Sequence, residues 1–561
     1  MTERSALHDP FWPPGLPRHL TLPQTNVWYN VEVSATRYPD KPFIIFYDAV
    51  ITFANFRRET EKIAAYLMHD CGVRAGDRVL LYLQNSPQWI LAFYGILRAN
   101  AVVVPVNPMN RTEEVRHCTV DSGATVAFVP QDLLAQVRPL LGPDGLSQVV
   151  VATYSDYLPQ ATDLAVPEFV AAPRQPIRDE DAAAGVVSWQ EMMSREHAPG
   201  PLTCGPDDLC VMPYTSGTTG APKGCRHTHR SVMSTLVGGV NWFARTQDAT
   251  YLAVLPLFHV TGLSGSMNGP LYLGATIVVL PRWDRDAAAL MMQCYRVTIW
   301  QSISTMMIDF LSNPKLDDYD ISSLQGVRGG GAAMPAAVAE KLKRLTGLDY
   351  IEGYGMSETM AATHINPIHR PKLQCLGIPV FDVDARLIDP VTLQEVDVGE
   401  IGEIIVHGPQ VMKGYWNDPQ ADSVAFIEID RKRFLRTGDL ARVDEEGYFF
   451  MVDRLKRMIN ASGFKVWPAE VEAMMYRHPD IQEACVIGAR DPRRGETVKA
   501  LVVLVPGREG SVSEDDIVQW AHARMAPYKS PRIVEFVTSL PKSGSGKVLW
   551  RTLQDQEDSR S

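Results

Sequence analysis

Residues Tyr214–Gly224 read YTSGTTGAPKG, a run dominated by small and hydroxylated side chains (Thr215, Ser216, Gly217, Thr218, Thr219, Gly220) and closed by Lys223. Glycines let a backbone approach an anion and turn its N–H groups toward it, and hydroxyls add further donors. Lys223 supplies a positive charge on a long stem. A flexible Gly/Ser/Thr loop would explain a shorter fragment, but not the full string with its Pro-Lys-Gly end. No Ser or Thr follows a Gly-Lys pair at the P-loop spacing, so the segment is not a P-loop. A second glycine-rich stretch, Pro541–Val548 (PKSGSGKV), departs from a P-loop too, with Pro541 at the glycine position and Val548 where a hydroxyl is needed. It leaves one lysine, Lys547, on a glycine-rich arm.

Outward from the loop, short β-branched runs alternate with helical patterns. Strands are expected at Arg78–Leu83, Ala124–Val129, Val149–Ala152, Ala275–Leu280 and Glu403–Val406, and helices at Glu59–His69, Trp89–Ala99 and Asp286–Cys294. That alternation predicts α/β architecture with largely parallel sheets. The stretch 159–198, rich in Ala, Pro and charge and without a clear period, reads as a long surface excursion. Beyond a boundary near 453–456, a helix at Ala469–Arg477, strands at Ala484–Gly488 and Ala500–Val505 and a helix at Glu514–Arg524 make up a separate α+β unit.

The chain of 561 residues carries 54 Lys+Arg against 65 Asp+Glu, a formal net charge of −11. Acidic and without a basic tract, it is a poor candidate for a nucleic-acid partner. Its eight cysteines are scattered, with no CxxC pair or metal-ligand spacing, and imply a reducing compartment. The N-terminus lacks the apolar core of a signal peptide. The charge-free stretches Val79–Leu97 and Ala249–Pro281 are interrupted by Asn85, Pro87, Pro256 and His259, so they read as core pieces rather than membrane spans. A cytoplasmic protein without an integral membrane segment is expected.

Five segments in order, YTSGTTGAPKG, EGYGMSET (Glu352–Thr359), RTGDL (Arg436–Leu440), DRLKRMINASGFKVWPAEVE (Asp453–Glu472) and PKSGSGKVLWR, resemble the adenylate-forming superfamily, which includes acyl-CoA synthetases, luciferases and peptide-synthetase adenylation domains. The resemblance runs from about Tyr38 to Arg551. The wording MINASGFKVWPAEVE and LPLFHVTG (Leu255–Gly262) is most similar to bacterial fatty-acyl-CoA ligases.

The resemblance implies a large N-terminal domain (21–452) of stacked α/β subdomains with a small β-barrel-like subdomain. An extension (1–20) precedes it; a hinge (453–456), a small mobile α+β cap (457–551) and a tail (552–561) follow. It implies that ATP, Mg²⁺ and coenzyme A serve a two-step reaction, in which a carboxylic acid becomes an acyl-AMP and the acyl group then passes to CoA. Lys547 would bridge the carboxylate and the α-phosphate. Thr215–Lys223 would hold the outer phosphates, Glu358 the metal, and Ser357 the α-phosphate. Tyr354 would stack on adenine, flanked by Glu352, Gly353 and Gly355, with Gly331, Ala332 and Ala333 on the opposite face. Asp439 and Arg454 would bind the ribose.

Lys456 matches the hinge position, Ser462, Gly463 and Phe464 the pantetheine channel, and His259 a gate between acyl pocket and channel. The pocket would be lined by Val260–Gly265, Ile303–Phe310, Gly329–Met334 and Tyr354–Ala361, with Met306, Met307, Met334 and Met356 as soft walls. LPLFHVTG holds no carboxylate to pair with a substrate ammonium, which disfavours amino acids. A medium- to long-chain fatty acid is expected, with an aryl acid or a luciferase-like oxygenation as alternatives; a catalytically silent nucleotide- or acyl-binding protein is the reading from another class. The resemblance also allows a homodimer. Cys225 and Arg226 after the phosphate loop, and Ala332–Pro335, depart from the commonest family wording.

Overall fold

The computed structural model describes residues 7–143, 145–215, 221–461, 464–491, 495–542 and 548–560. Two compact units emerge: His8–Asp384 with His407–Arg433, and Ala385–Val406 with Phe434–Ser561.

The larger unit holds two sheets. In the seven-stranded one, Arg78–Leu81, Val102–Pro105, Val126–Pro130, Gln148–Ala152 and Val186–Ser188 run parallel to their neighbours. Alternate residues feed different cores: Val79, Leu81, Val103, Phe128 and Val150 face one, while Leu80, Val102, Val104, Ala127 and Val129 face the other. Burial on both sides is why these strands read as unbroken apolar runs. Helix Phe53–His69 starts where the Thr52 side chain accepts the Asn55 N–H, and Pro87–Arg98 where Ser86 caps Trp89. The second helix is buried from Pro87 to Leu97, as its all-round apolar sequence requires. The expected core pieces are thus strand, loop and helix, and no helix among the described residues is long and apolar enough to cross a membrane.

The second sheet has nine strands, with Gly326–Gly330 between Ile299–Ser302 and Tyr350–Met356, all parallel. Its edge strands Ala361–Ile365 and Ile378–Pro379 turn antiparallel.

The 159–198 stretch corrects the expectation of a surface excursion. Val186–Ser188 is the edge strand of the seven-stranded sheet, and Val170, Trp189 and Met192 are buried. A three-residue strand is too short to display a period, so its sheet membership was invisible locally.

In the smaller unit, strands Ile401–His407, Lys432–Val443 and Phe449–Arg454 pair antiparallel. A second sheet joins Ile459–Ala461, Phe464–Val466, Ile481–Asp491, Gly495–Leu504 and Ile533–Phe536, and is covered by helices Pro468–Met475 and Glu514–His522. The strand and helix expected at Ala484–Gly488 and Glu514–Arg524 are present, the strand longer than foreseen. Of the cysteines, five are buried and all are free thiols.

Candidate active site

The phosphate-grip sequence forms a β-hairpin: Thr215 pairs with Lys223 and Tyr214 with Gly224. Its tip, with Ser216, Gly217, Thr218, Thr219 and Gly220, lies outside the described residues. The base is tied down by the Tyr214 hydroxyl, which donates to Asp121 at 2.6 Å. The Lys223 ammonium lies 3.1 Å from Asp418 and 5.4 Å from the centre of the Tyr415 ring. It therefore stands paired at the hairpin base, on a stem long enough to swing to an anion.

Glu358 sits on a turn (Ser357–Thr359) directly after strand Tyr350–Met356 and is 8% exposed. The Tyr415 hydroxyl donates to its Oε1 at 3.0 Å, and the Met412 N–H to its carbonyl at 2.9 Å. Burial and the Glu358 charge hold the Tyr415 phenol well above its ordinary pKa, so it stays a donor. The same short segment reaches the hairpin, because the Trp416 N–H donates to the Gly224 carbonyl at 2.8 Å. Residues 412–416 thus lock the carboxylate turn and the Lys223 hairpin into one frame. Sequence reasoning missed this segment, whose only local signal was an aromatic pair after Gly414. It also missed His227, whose Nε2–H donates to the Ser357 carbonyl at 2.7 Å. Burial pushes that imidazole down to about 4, which keeps it neutral.

Tyr354 is half-buried on the same strand, its ring 5.7 Å from that of His364. Its neighbour Gly355 is obligatory, since a Cβ there would lie 1.7 Å from the Ala361 carbonyl oxygen. Gly353 lies against strand Ala361–Ile365. Gly331, Ala332 and Ala333 are exposed, and Gly331 has φ +88°, the left-handed region suited to glycine.

Glu352 corrects its expected place among the nucleotide contacts. It is 5% exposed and accepts the N–H groups of Met334 and Cys375, one on each oxygen. It braces the 331–335 turn from within, and burial lifts its carboxyl to about 7. Met307 and Met334 are fully buried core residues rather than pocket walls, whereas Met356 keeps accessible surface. His259 caps the helical turn Val260–Gly262, its Nδ1 facing the Thr261 N–H at 3.4 Å.

In the smaller unit, Asp439 and Arg454 are cross-strand partners whose side chains meet at 3.0 Å. Asp439 is 2% exposed, and its N–H donates to the Thr437 hydroxyl. Asp453, next to Arg454, is buried; its Oδ2 accepts the Ala469 N–H at 2.6 Å and so anchors the start of helix Pro468–Met475. The backbones of Lys456 and Phe464 lie in the turn Leu455–Arg457 and the strand Phe464–Val466. Their side chains, with Ser462, Gly463 and Lys547, lie outside the described residues.

No group of three or more His, Cys, Asp or Glu could hold a metal among the described residues. Glu358 alone suits Mg²⁺, which takes one or two carboxylates and completes its shell with phosphate and water oxygens.

Residues 31–416 match the family described as AMP-binding enzyme, and 470–547 the AMP-binding enzyme C-terminal domain. The chain is similar to a long-chain-fatty-acid–CoA ligase of Bacillus subtilis, at 35% identity over 97% of each chain. It is similar to a feruloyl-CoA synthase of Amycolatopsis at 35% identity, covering 89% of this chain and 92% of that one. Among solved structures it resembles ATP-bound MatB from Rhodopseudomonas palustris, with a TM-score of 0.82, 25% identity and coverage of 96% and 100%. The five motifs, the two-unit α/β fold and these matches converge: the chain belongs to the AMP-binding enzyme family and, like the ligases it matches over nearly its whole length, is an acid–thiol ligase.

Proposed function

We propose that the protein is an AMP-forming acyl-CoA synthetase that activates a carboxylic acid with an apolar body, a medium- to long-chain fatty acid first, and passes the acyl group to CoA. The observation that carries this reading is the frame in which residues 412–416 hold both the Glu358 turn and the Lys223 hairpin. Acid and ATP are both anions, so their approach needs positive charge fixed in advance. Glu358 would hold Mg²⁺, which when bound neutralises phosphate charge. Lys223 would leave Asp418 for the outer phosphates, and Lys547 would bridge carboxylate and α-phosphate. Tyr354 would take adenine, while Asp439 with Arg454 would take the ribose hydroxyls. The cap (457–551), turning about 453–456, would then bring Ser462, Gly463 and Phe464 to the pantetheine arm.

An aryl acid is the second reading, favoured by the feruloyl-CoA synthase match at the same 35% identity. A panel of straight-chain and aryl acids in a pyrophosphate-release assay, with and without CoA, tests both. Each added methylene should raise kcat/KM about fourfold until the cavity is filled. Pyrophosphate release that never depends on an acid would overturn the ligase reading.

A further inference from the structure

Arg328 lies on a central strand of the nine-stranded sheet, yet it keeps accessible surface between the buried Val327 and Gly329. Gln301, its neighbour in register, likewise keeps surface between the buried Trp300 and Ser302. Side chains in mid-sheet stay accessible only where the covering layer leaves a hollow. Gly265 packs directly against this pair: a Cβ there would come within 2.7 Å of the Gln301 amide oxygen. Gln301 and Arg328 thus border the Val260–Gly265, Ile303–Phe310 and Gly329–Met334 segments assigned to the acid.

Arg328 donates through Nε to Gln301 Oε1 at 2.8 Å. Its guanidinium lies 4.1 Å from the Phe243 ring centre and 5.8 Å from that of Tyr251, which fixes its plane without neutralising it. Arg245 lies beside it, against Gly326 of the same strand, and both cations are disfavoured by burial. Among the described residues, no carboxylate forms an ion pair with either. Guanidinium cannot shed its proton, so two half-buried cations side by side favour an anion that joins them. Beside Arg328, the Gln301 amide still has N–H groups to offer an acceptor.

We propose that the acid-binding cavity contains a polar subsite, Arg328 with Gln301, that receives a hydrogen-bond-accepting group on the substrate's tail, a second carboxylate foremost. The proposal rests on the ligase reading and narrows its substrate class to acids that are apolar in the middle and oxygenated beyond.

The test uses the full-length enzyme with a ladder of straight-chain monocarboxylic acids, each paired with the α,ω-dicarboxylic acid of equal length. kcat/KM for acid-dependent pyrophosphate release is compared in wild type, Arg328→Met and Gln301→Leu, the last standing in should the first fail to fold. At the length that spans the cavity, wild type should prefer the diacid, and the diacid-to-monoacid ratio should fall at least about tenfold in the variants. A merely structural role would lower both series together and keep their ratio. An unchanged ratio, or a wild-type preference for monoacids at every length, overturns the subsite. Failure of every acid with wild type would instead count against the ligase reading.

Discussion

Glu358 shows how much a single residue's role depends on what holds it. Its place in EGYGMSET marks it by resemblance as the metal carboxylate, but only the fold reveals Tyr415 and the Met412 N–H fixing it. Glu358→Gln keeps the side chain's size and an acceptor for Tyr415, so stability should shift by no more than about 1 kcal/mol. The lost charge should cut acid-dependent pyrophosphate release at least about a hundredfold and raise the Mg²⁺ needed for half-maximal rate. A Mg²⁺ titration of both proteins checks this, and an unchanged titration would remove Glu358 as the ligand. Glu352, six residues earlier, carries the same functional group and serves the backbone instead. Motif membership could not separate the two carboxylates, because both are buried and their partners, Met334 and Cys375 for one and Tyr415 for the other, come from distant segments.

At the scale of elements, the long apolar runs were legible because a parallel sheet buried on both faces demands them. The 159–198 stretch was not, because its strand is short and its anchors are isolated. Trp189 is one such anchor: 2% exposed, its ring 5.9 Å from Phe128, with its indole N–H donating to the Tyr157 hydroxyl. Trp189→Ala should destabilise the protein by about 3 kcal/mol or more, the cost of a large buried cavity. Denaturant unfolding monitored by circular dichroism measures it. A loss below about 0.5 kcal/mol would return the stretch to a surface excursion. The Tyr214–Gly224 segment stood out in the sequence because its glycine density is local, whereas the pairing of Thr215 with Lys223 at its base appears only in the fold.

Across the whole molecule, histidines held neutral by their surroundings weaken the fold in acid. His8, His227 and His229 are pushed down to about 4, and His364 to about 3, in each case chiefly by burial. Their folded pKa values lie below the unfolded 6.5, so the unfolded chain binds more protons in that window. Their stabilisation is complete above about 6.5 and is lost as pH falls toward about 4. Glu352 acts with the opposite sign, because its carboxyl is raised to about 7 and favours the folded state at low pH, as do Glu59, Asp132 and Asp453, which burial also raises. Urea unfolding from about pH 8 to pH 4.5 should show falling stability, with a shallower slope in His227→Gln. A flat profile would mean that the histidines are solvated. The net charge of −11 made nucleic acid a poor candidate partner while leaving room for local cations such as Lys223 and Arg454. By itself the sequence determined the α/β class, the motif order and the family they mark, since these rest on apolar periodicity and on residue types among near neighbours. Only the tertiary structure decided that Tyr415 reaches Glu358 across 57 residues, that His227 braces Ser357 across 130, and that Arg328 meets Gln301. The last contact follows from strand register, and the first two from the packing of the Ser357–Thr359 turn against segments far away in the chain.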